Sequence, residues 1–321
     1  MNADTVRVRN SAVTPPYARY ADSIRILLRD LIDYAGLFPP ASLSMKQSMA
    51  NFDRYLRSEW SWILGRFVAP VARLDELETA FVELPPLAAA TGPVKYRLSV
   101  LLGSDVAADI ASIGSFNERM TKTGGLRTAV IESVEAKVAS AEEIRRLSAA
   151  IPAELETYFE FPMDNCAKFM ATVCECGRRA KIRTGGETAD KFPDSGSVIE
   201  FVRLCAAAKL PFKATAGLHH PVRSAHQLTY HPDSPSGVMH GFLNVFLAAA
   251  FLRVGMDEEL TVQLLEEQSA QAFRFEMDGV AWREYRLSLK EIADARARFS
   301  ISFGSCSFNE PLNDLRSLDI L

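Results

Sequence analysis

Two short β-prone runs in the middle of the chain each carry a lysine where a buried strand would not ordinarily hold one. The first reads Arg179-Ala180-Lys181-Ile182-Arg183-Thr184 and closes on Gly185-Gly186. The second comes after one helix-length segment, reads Phe212-Lys213-Ala214-Thr215-Ala216 and closes on Gly217. Taking an ammonium out of water is costly unless it is paired or gives up its proton, so two such strands in succession predict a polar pocket. An amine held there beside a second cation loses its proton near neutrality and becomes a nucleophile for a carbonyl carbon. Strand alternation puts Lys181 with Arg183 on one face and Lys213 with Thr215 on one face. Glu160, closing the run Thr157 to Phe161, is the expected proton carrier, and Glu132 is a second carboxylate at the end of a strand. Arg183 suits a bidentate clamp on a carboxylate or phosphate, with Thr184, Gly185, Gly186, Gly304 and Ser305 supplying hydroxyl and backbone N–H donors. The plainer reading of the same charges is a salt-bridged interior with no chemistry.

The histidines bring a second set of candidates. His219, His220, His226, His231 and His240 are all five in the chain and fall in one segment. His219 and His220 read as acid/base residues and His240 as a substrate hydrogen-bond donor. No cofactor is expected on this reading. The alternative is a divalent metal on His219, His220, His240 and Glu160, serving hydrolase or lyase chemistry. Adjacent histidines point apart in extended chain, which weighs against that set. Glu310, after the last predicted strand, reads as a ligand-binding residue or as the cap of a final short helix.

These residues need a scaffold, and the chain supplies a beat of strand and helix. Strands are expected at residues 63–69, 96–102, 126–132, 157–161, 180–184 and 212–216, each followed by a helical segment, a unit that brings the next strand in parallel. The rhythm then breaks into the histidine loop and the apolar helix 239–254. A seventh strand at 272–276 and an eighth at 299–303 complete the set. Eight alternations predict an α/β fold, a (β/α)8 TIM-like barrel with an N-terminal helix and an extra helix between strands six and seven; an open doubly wound sheet is the alternative. Residues 1–16 read as a mobile arm and 17–321 as one domain. The apolar, proline-stiffened stretch 33–42 reads as a loop plugging the end of the core, with Asp33 and Tyr34 keeping a ligand-covering role open.

A family resemblance enters at the lysine strands. Lys181-Ile182-Arg183-Thr184-Gly185 resembles the Lys-x-Ser/Thr-Thr-Gly strand of deoxyribose-phosphate aldolase, a class I aldolase barrel whose lysine there forms the Schiff base. Phe212-Lys213-Ala214-Thr215-Ala216-Gly217 is similar to that family's next strand, whose lysine lowers the pKa of the first. Phe303-Gly304-Ser305-Cys306-Ser307 is similar to its last strand and phosphate-binding turn. The resemblance implies aldolase-like lyase chemistry without a metal. Arg183 departs from the family's small hydroxyl residue, and His219-His220 departs from the family's pattern around its second glycine. The family's Schiff-base lysine stands on strand six, so the strand count above favours Lys213 while the motif favours Lys181.

Composition sets the outer bounds. The chain has 321 residues, of which 48% are hydrophobic and 24% charged, so a globular fold with a large core is expected. A formal net charge of -4 supplies no basic field for nucleic acid. Residues 1–22 are polar and lack an apolar signal region, and the most apolar run, 241–254, is too short for a bilayer and contains Asn244 and Arg253. The cysteines Cys166, Cys174, Cys176, Cys205 and Cys306 are odd in number and read as reduced thiols. Together these predict a soluble, cytoplasmic enzyme acting on a small anionic carbonyl compound, with no nucleic-acid or membrane partner. The apolar helix 239–254 leaves a homo-oligomer open, and a non-catalytic barrel-shaped binding protein is the remaining alternative.

Overall fold

Apolar side chains recur at every second position along the lysine runs, Ala180 with Ile182 and Phe212 with Ala214, and all four are fully buried. The sheet to which these strands belong closes on itself, which turns their charged face inward. The structure is a computed structural model that describes residues 20–87, 92–122, 125–163 and 166–321, so the arm expected at 1–16 lies outside the described residues. In chain order the strands are β1 (Ile32–Tyr34), β2 (Leu64–Pro70), β3 (Val94–Leu101), β4 (Arg127–Lys137), β5 (Glu156–Glu160), β6 (Arg179–Arg183) and β7 (Phe212–Thr215). After them come β8 (Ser224–Gln227), β9 (Ser236–Met239), β10 (Phe273–Glu276), β11 (Gly279–Trp282), β12 (Tyr285–Ser288) and β13 (Ser300–Ser305). Eight of these, in the order β1-β13-β7-β6-β5-β4-β3-β2, form a closed parallel barrel. The α/β TIM-like fold read from the sequence is the fold observed.

The helices α1 (Asp22–Leu28), α2 (Met45–Leu56), α3 (Leu74–Val82), α4 (Val106–Lys122), α5 (Ala141–Ala150), α6 (Cys166–Glu175) and α7 (Ser195–Ala207) lead into or alternate with the first seven strands. The remaining helices are α8 (Phe242–Arg253), α9 (Glu258–Leu265), α10 (Leu289–Arg298) and α11 (Asn309–Ser317). Local chemistry starts them where the strands need to turn. Ser44 and Ser288 each close a capping box, with Gln47 and Glu291, while Ser140, Asp194 and Asp257 accept from the backbone N–H three residues on. Each such cap satisfies a donor the helix itself cannot, a contribution of about 1 kcal/mol.

Two elements differ from the sequence expectation. The stretch around Asp33 is not a plugging loop from end to end. Helix α1 stops at Leu28, Asp30 turns the chain with φ 50°, and Ile32–Tyr34 runs on as the first barrel strand between β13 and β2. The expected seventh strand leaves the barrel instead, pairing antiparallel with β11 in the separate sheet β10-β11-β12. The total of eight survives both changes, but the count shifts by one. Lys181 stands on the sixth barrel strand and Lys213 on the seventh.

The insertion between the last two barrel strands is larger than one helix. It comprises the hairpin β8-β9, helices α8 and α9, the three-stranded sheet and α10. Residues Phe242–Phe251 of α8 are all buried within this one chain, so the apolar run is core and has no free face left for a subunit interface. Its one amide, Asn244, donates to the carbonyls of Leu264 and Glu267 and accepts from the backbone of Arg223, which ties α8 to the end of α9. No helix among the described residues is long and apolar enough to cross a membrane.

Candidate active site

The inward faces of β1, β4, β5, β6 and β7 meet in a column of charge rather than in layers of Val, Ile and Leu. Register sets it up: Lys137 lies beside Glu160, Glu160 beside Lys181, and Lys181 beside Lys213 on four successive strands. Lys213 Nζ donates to Asp33 Oδ2 at 2.7 Å and to Glu135 Oε1 at 2.6 Å. Lys181 Nζ contacts the other oxygen of the same carboxylate, Glu135 Oε2, at 2.8 Å and Glu160 Oε2 at 2.9 Å. Glu160 in turn accepts from Arg183 Nε at 3.0 Å. Asp33 also accepts from Ser302 Oγ and from the backbone N–H of Arg66, and Ser99 Oγ donates to Glu135. Gly65 opens the space for Asp33, because a Cβ there would sit 2.3 Å from its Oδ1.

The two amines are not equivalent. Lys213 is 1% exposed, lies over the ring of Tyr158 at 5.3 Å, and is fixed by two hydrogen bonds to carboxylates. Burial alone would pull its pKa down, but the charges of Asp33 and Glu135 outweigh that and hold it above the ordinary lysine range. The expectation that crowded positive charge would neutralise it is therefore corrected: the carboxylates interleaved between the lysines reverse the sign. Lys181 is held by ion-pair contacts, and at Glu160 Oε2 the angle falls outside hydrogen-bond geometry. Burial would raise the carboxyls of Glu135 and Glu160, yet Lys181 with Lys213, and Lys181 with Arg183, respectively, hold them below the usual carboxylate range.

Above this floor opens a cavity of about 690 Å³ at the C-terminal end of the strands. Of the residues singled out from sequence, Lys181, Lys213, Glu160, Arg183, Gly186, Thr215, His219 and Gly304 line it. Its far wall is apolar, formed by Phe38, Pro39 and Pro40 after β1 and by Leu228 and Met239 of the β8-β9 hairpin. The stretch after Tyr34 thus forms part of the cavity wall. A pocket of this size, with polar groups converging on its floor and an apolar wall, suits a small molecule.

The other candidates lie elsewhere. Thr184 is buried, its hydroxyl donating to the Ala216 carbonyl at 2.6 Å, and Gly185 packs against Phe192 and Gly217. Both shape the turn without lining the cavity. Ser305 is buried on β13, and its hydroxyl accepts from the Ser307 N–H, so that turn is closed on itself. Glu310 lines a neighbouring hollow and meets the cavity through His219. Glu132 is displaced by a register shift between β3 and β4 and pairs with Arg66, Arg97 and Lys95, away from the mouth.

The alternative metal set does not converge. His219 pairs with Glu310, His220 with Asp314, His240 with the Pro193 carbonyl and Arg223, and Glu160 with Lys181 and Arg183. Among the described residues no three His, Cys, Asp or Glu side chains group as metal ligands would. His220 is turned from the cavity and stacks on His226 with ring centroids 3.3 Å apart.

Two counter-ions at the heart of the site were not foreseen in that role. Asp33 stood only as a ligand-covering candidate in what read as loop, and Glu135 lies beyond Glu132, where the strand was expected to stop. A signal for Glu135 was present: Val134, Ala136 and Val138 alternate with Ser133, Glu135 and Lys137, so the strand pattern continues. The chain matches no protein-family model and no curated protein at a significant level, so its function has to be argued from this geometry.

Proposed function

We propose that the chain is a lysine-dependent enzyme of the aldolase or lyase type, acting on a small anionic carbonyl compound with Lys181 as the nucleophile. One observation carries the reading: two buried lysines on adjacent strands grip the two oxygens of a single carboxylate, Glu135, on the floor of an open cavity. That arrangement gives each partner a separate task. Lys181, the less tightly fixed of the two amines, gives up its proton to the cavity with Glu135 and Glu160 as neighbouring relay groups, and the free amine then attacks the substrate carbonyl. The proton returns to the carbinolamine oxygen through Glu135 or Glu160, water leaves, and a Schiff base remains. Lys213, pinned as an ammonium by Asp33 and Glu135, keeps compensating the buried carboxylates when Lys181 gives up its charge. Arg183 and the exposed Lys137 at the rim offer cationic partners for the substrate's anionic group.

The strand positions support the same choice of lysine. With β1 counted, Lys181 is on the sixth strand and Lys213 on the seventh, so the motif that resembles deoxyribose-phosphate aldolase and the strand count now favour the same residue. A soluble, cytoplasmic setting is part of the proposal and rests on composition. A purely bracing role for the ion pairs makes a different prediction. Borohydride reduction in the presence of a panel of aldehydes, ketones and 2-oxo acids should add one carbonyl-derived mass to the wild-type protein and none to Lys181→Ala. A panel that leaves the wild-type mass unchanged would reduce the column to structural ion pairs.

A further inference from the structure

His219 is the one histidine that lines the cavity, and it is not used by the chemistry above. Its place is set by the turn after β7, where Ala216 and Gly217 take φ of 63° and 75° in succession and swing the chain over the mouth. A non-glycine residue in that region is strained and persists only where its surroundings impose it. Here Thr184 holds it, donating to the Ala216 carbonyl.

The imidazole Nδ1 lies 3.1 Å from Glu310 Oε2. That carboxylate also accepts from Tyr230 Oη at 3.0 Å, and the Glu310 backbone N–H donates to Ser307 Oγ at 3.1 Å. Burial would raise the Glu310 carboxyl, but His219, Tyr230 and His220 together outweigh it and hold it below the usual carboxylate range, in its ionised, accepting form. An ionised carboxylate only accepts, so Nδ1 carries a proton and Nε2 is the ring nitrogen left to face another partner. Nε2 has no partner among the described residues.

We infer that His219, oriented by Glu310, is the base that moves protons on the lysine-bound substrate, and that this substrate is a β-hydroxy carbonyl compound. The inference rests on the Lys181 reading. With the substrate's carbonyl carbon bound to Lys181 as an iminium, Nε2 takes the β-hydroxyl proton and the oxygen's electron pair forms a new C=O. The Cα–Cβ bond breaks, its pair moves toward the iminium nitrogen, and an aldehyde leaves from an enamine. The imidazolium returns the same proton to Cα, and water hydrolyses the iminium, replacing the water released when it formed. Glu135 and Glu160, engaged by the lysines, serve the nitrogen end; His219 serves the hydroxyl end. His219 is thus a catalytic residue and Glu310 a positioning residue.

The half-reaction can be tested without knowing the substrate, using acetone, acetaldehyde and pyruvate as probes. In D2O, proton NMR reads exchange at the probe's α-carbon, while borohydride reduction with mass spectrometry reads the Schiff base. Wild type should do both. Removing a general base costs about 100-fold or more, so His219→Asn should still give an adduct but lose exchange by that factor. Glu310→Gln should lower the limiting exchange rate about tenfold with an unaltered half-saturating probe concentration, which a merely structural change would not do. Exchange in His219→Asn within about threefold of wild type, against that expected loss, would overturn the assignment and leave Lys181 untouched. An adduct without exchange in wild type would do the same. No adduct and no exchange with any probe would remove the lysine reading and this inference together.

Discussion

Glu135 matters more to the site than either lysine, because both ammonium groups depend on its one carboxylate. Removing one member of a buried charge set leaves its partners uncompensated in a medium that solvates them poorly, at about 3–5 kcal/mol. Glu135→Gln should therefore lower the free energy of unfolding by about that much in urea titration, whereas Lys137→Ala, exposed at the rim, should change it by about 0.5 kcal/mol at most. Equal, small effects would mean that the column is wetter and looser than its distances imply. The lysines were legible in the sequence because a cation at an inward strand position breaks a local rule that anyone can check. Their counter-ions were not. Asp33 meets Lys213 across 180 positions of chain, and nothing in either local sequence announces a partner so distant.

At the level of elements, the site depends on a turn where two backbones touch. Gly217 has φ 75°, and a Cβ on it would come within 2.7 Å of the Gly185 Cα, so the turns after β6 and β7 are packed against each other. Gly217→Ala has to strain its own backbone and part the two turns, and each such misfit costs about 1–3 kcal/mol. The expected result is a lower melting midpoint together with loss of α-proton exchange on a Lys181-bound probe, because the turn also carries His219. A stable, fully competent Gly217→Ala protein would show that the turns can move apart freely. The long strand–helix alternation was readable here because each unit obeys its own period. The first strand was not: three residues are too few to show alternation, and they come directly after a helical pattern. The seventh expected strand failed for the opposite reason. Residues 273–276 have the right local character, and only tertiary pairing with β11 takes them out of the barrel.

For the whole molecule, the charge column makes stability a function of pH in a stated sense. Glu135 and Glu160 titrate below the ordinary glutamate value of 4.5 in the folded chain, so their contribution is present above that value and is lost as the pH falls through the folded pKa values. Lys213 titrates above the ordinary lysine value of 10.5, so its contribution is present below that value and is lost as the pH rises through its folded pKa. Urea midpoints should form a plateau between the two and fall on both sides, with Lys213→Met flattening the alkaline limb. A stability maximum in the acid range would contradict the pairing. The fold itself would survive either outcome, since the buried apolar layer between strands and helices does not titrate.

The central claim concerns one nitrogen atom, and peptide mapping of the borohydride-reduced protein reads it directly. A secondary amine on Lys181, with Lys213 unmodified, is the result that Schiff-base chemistry at this site predicts. An adduct confined to Lys213, or none on either lysine with any carbonyl compound tried, would contradict it.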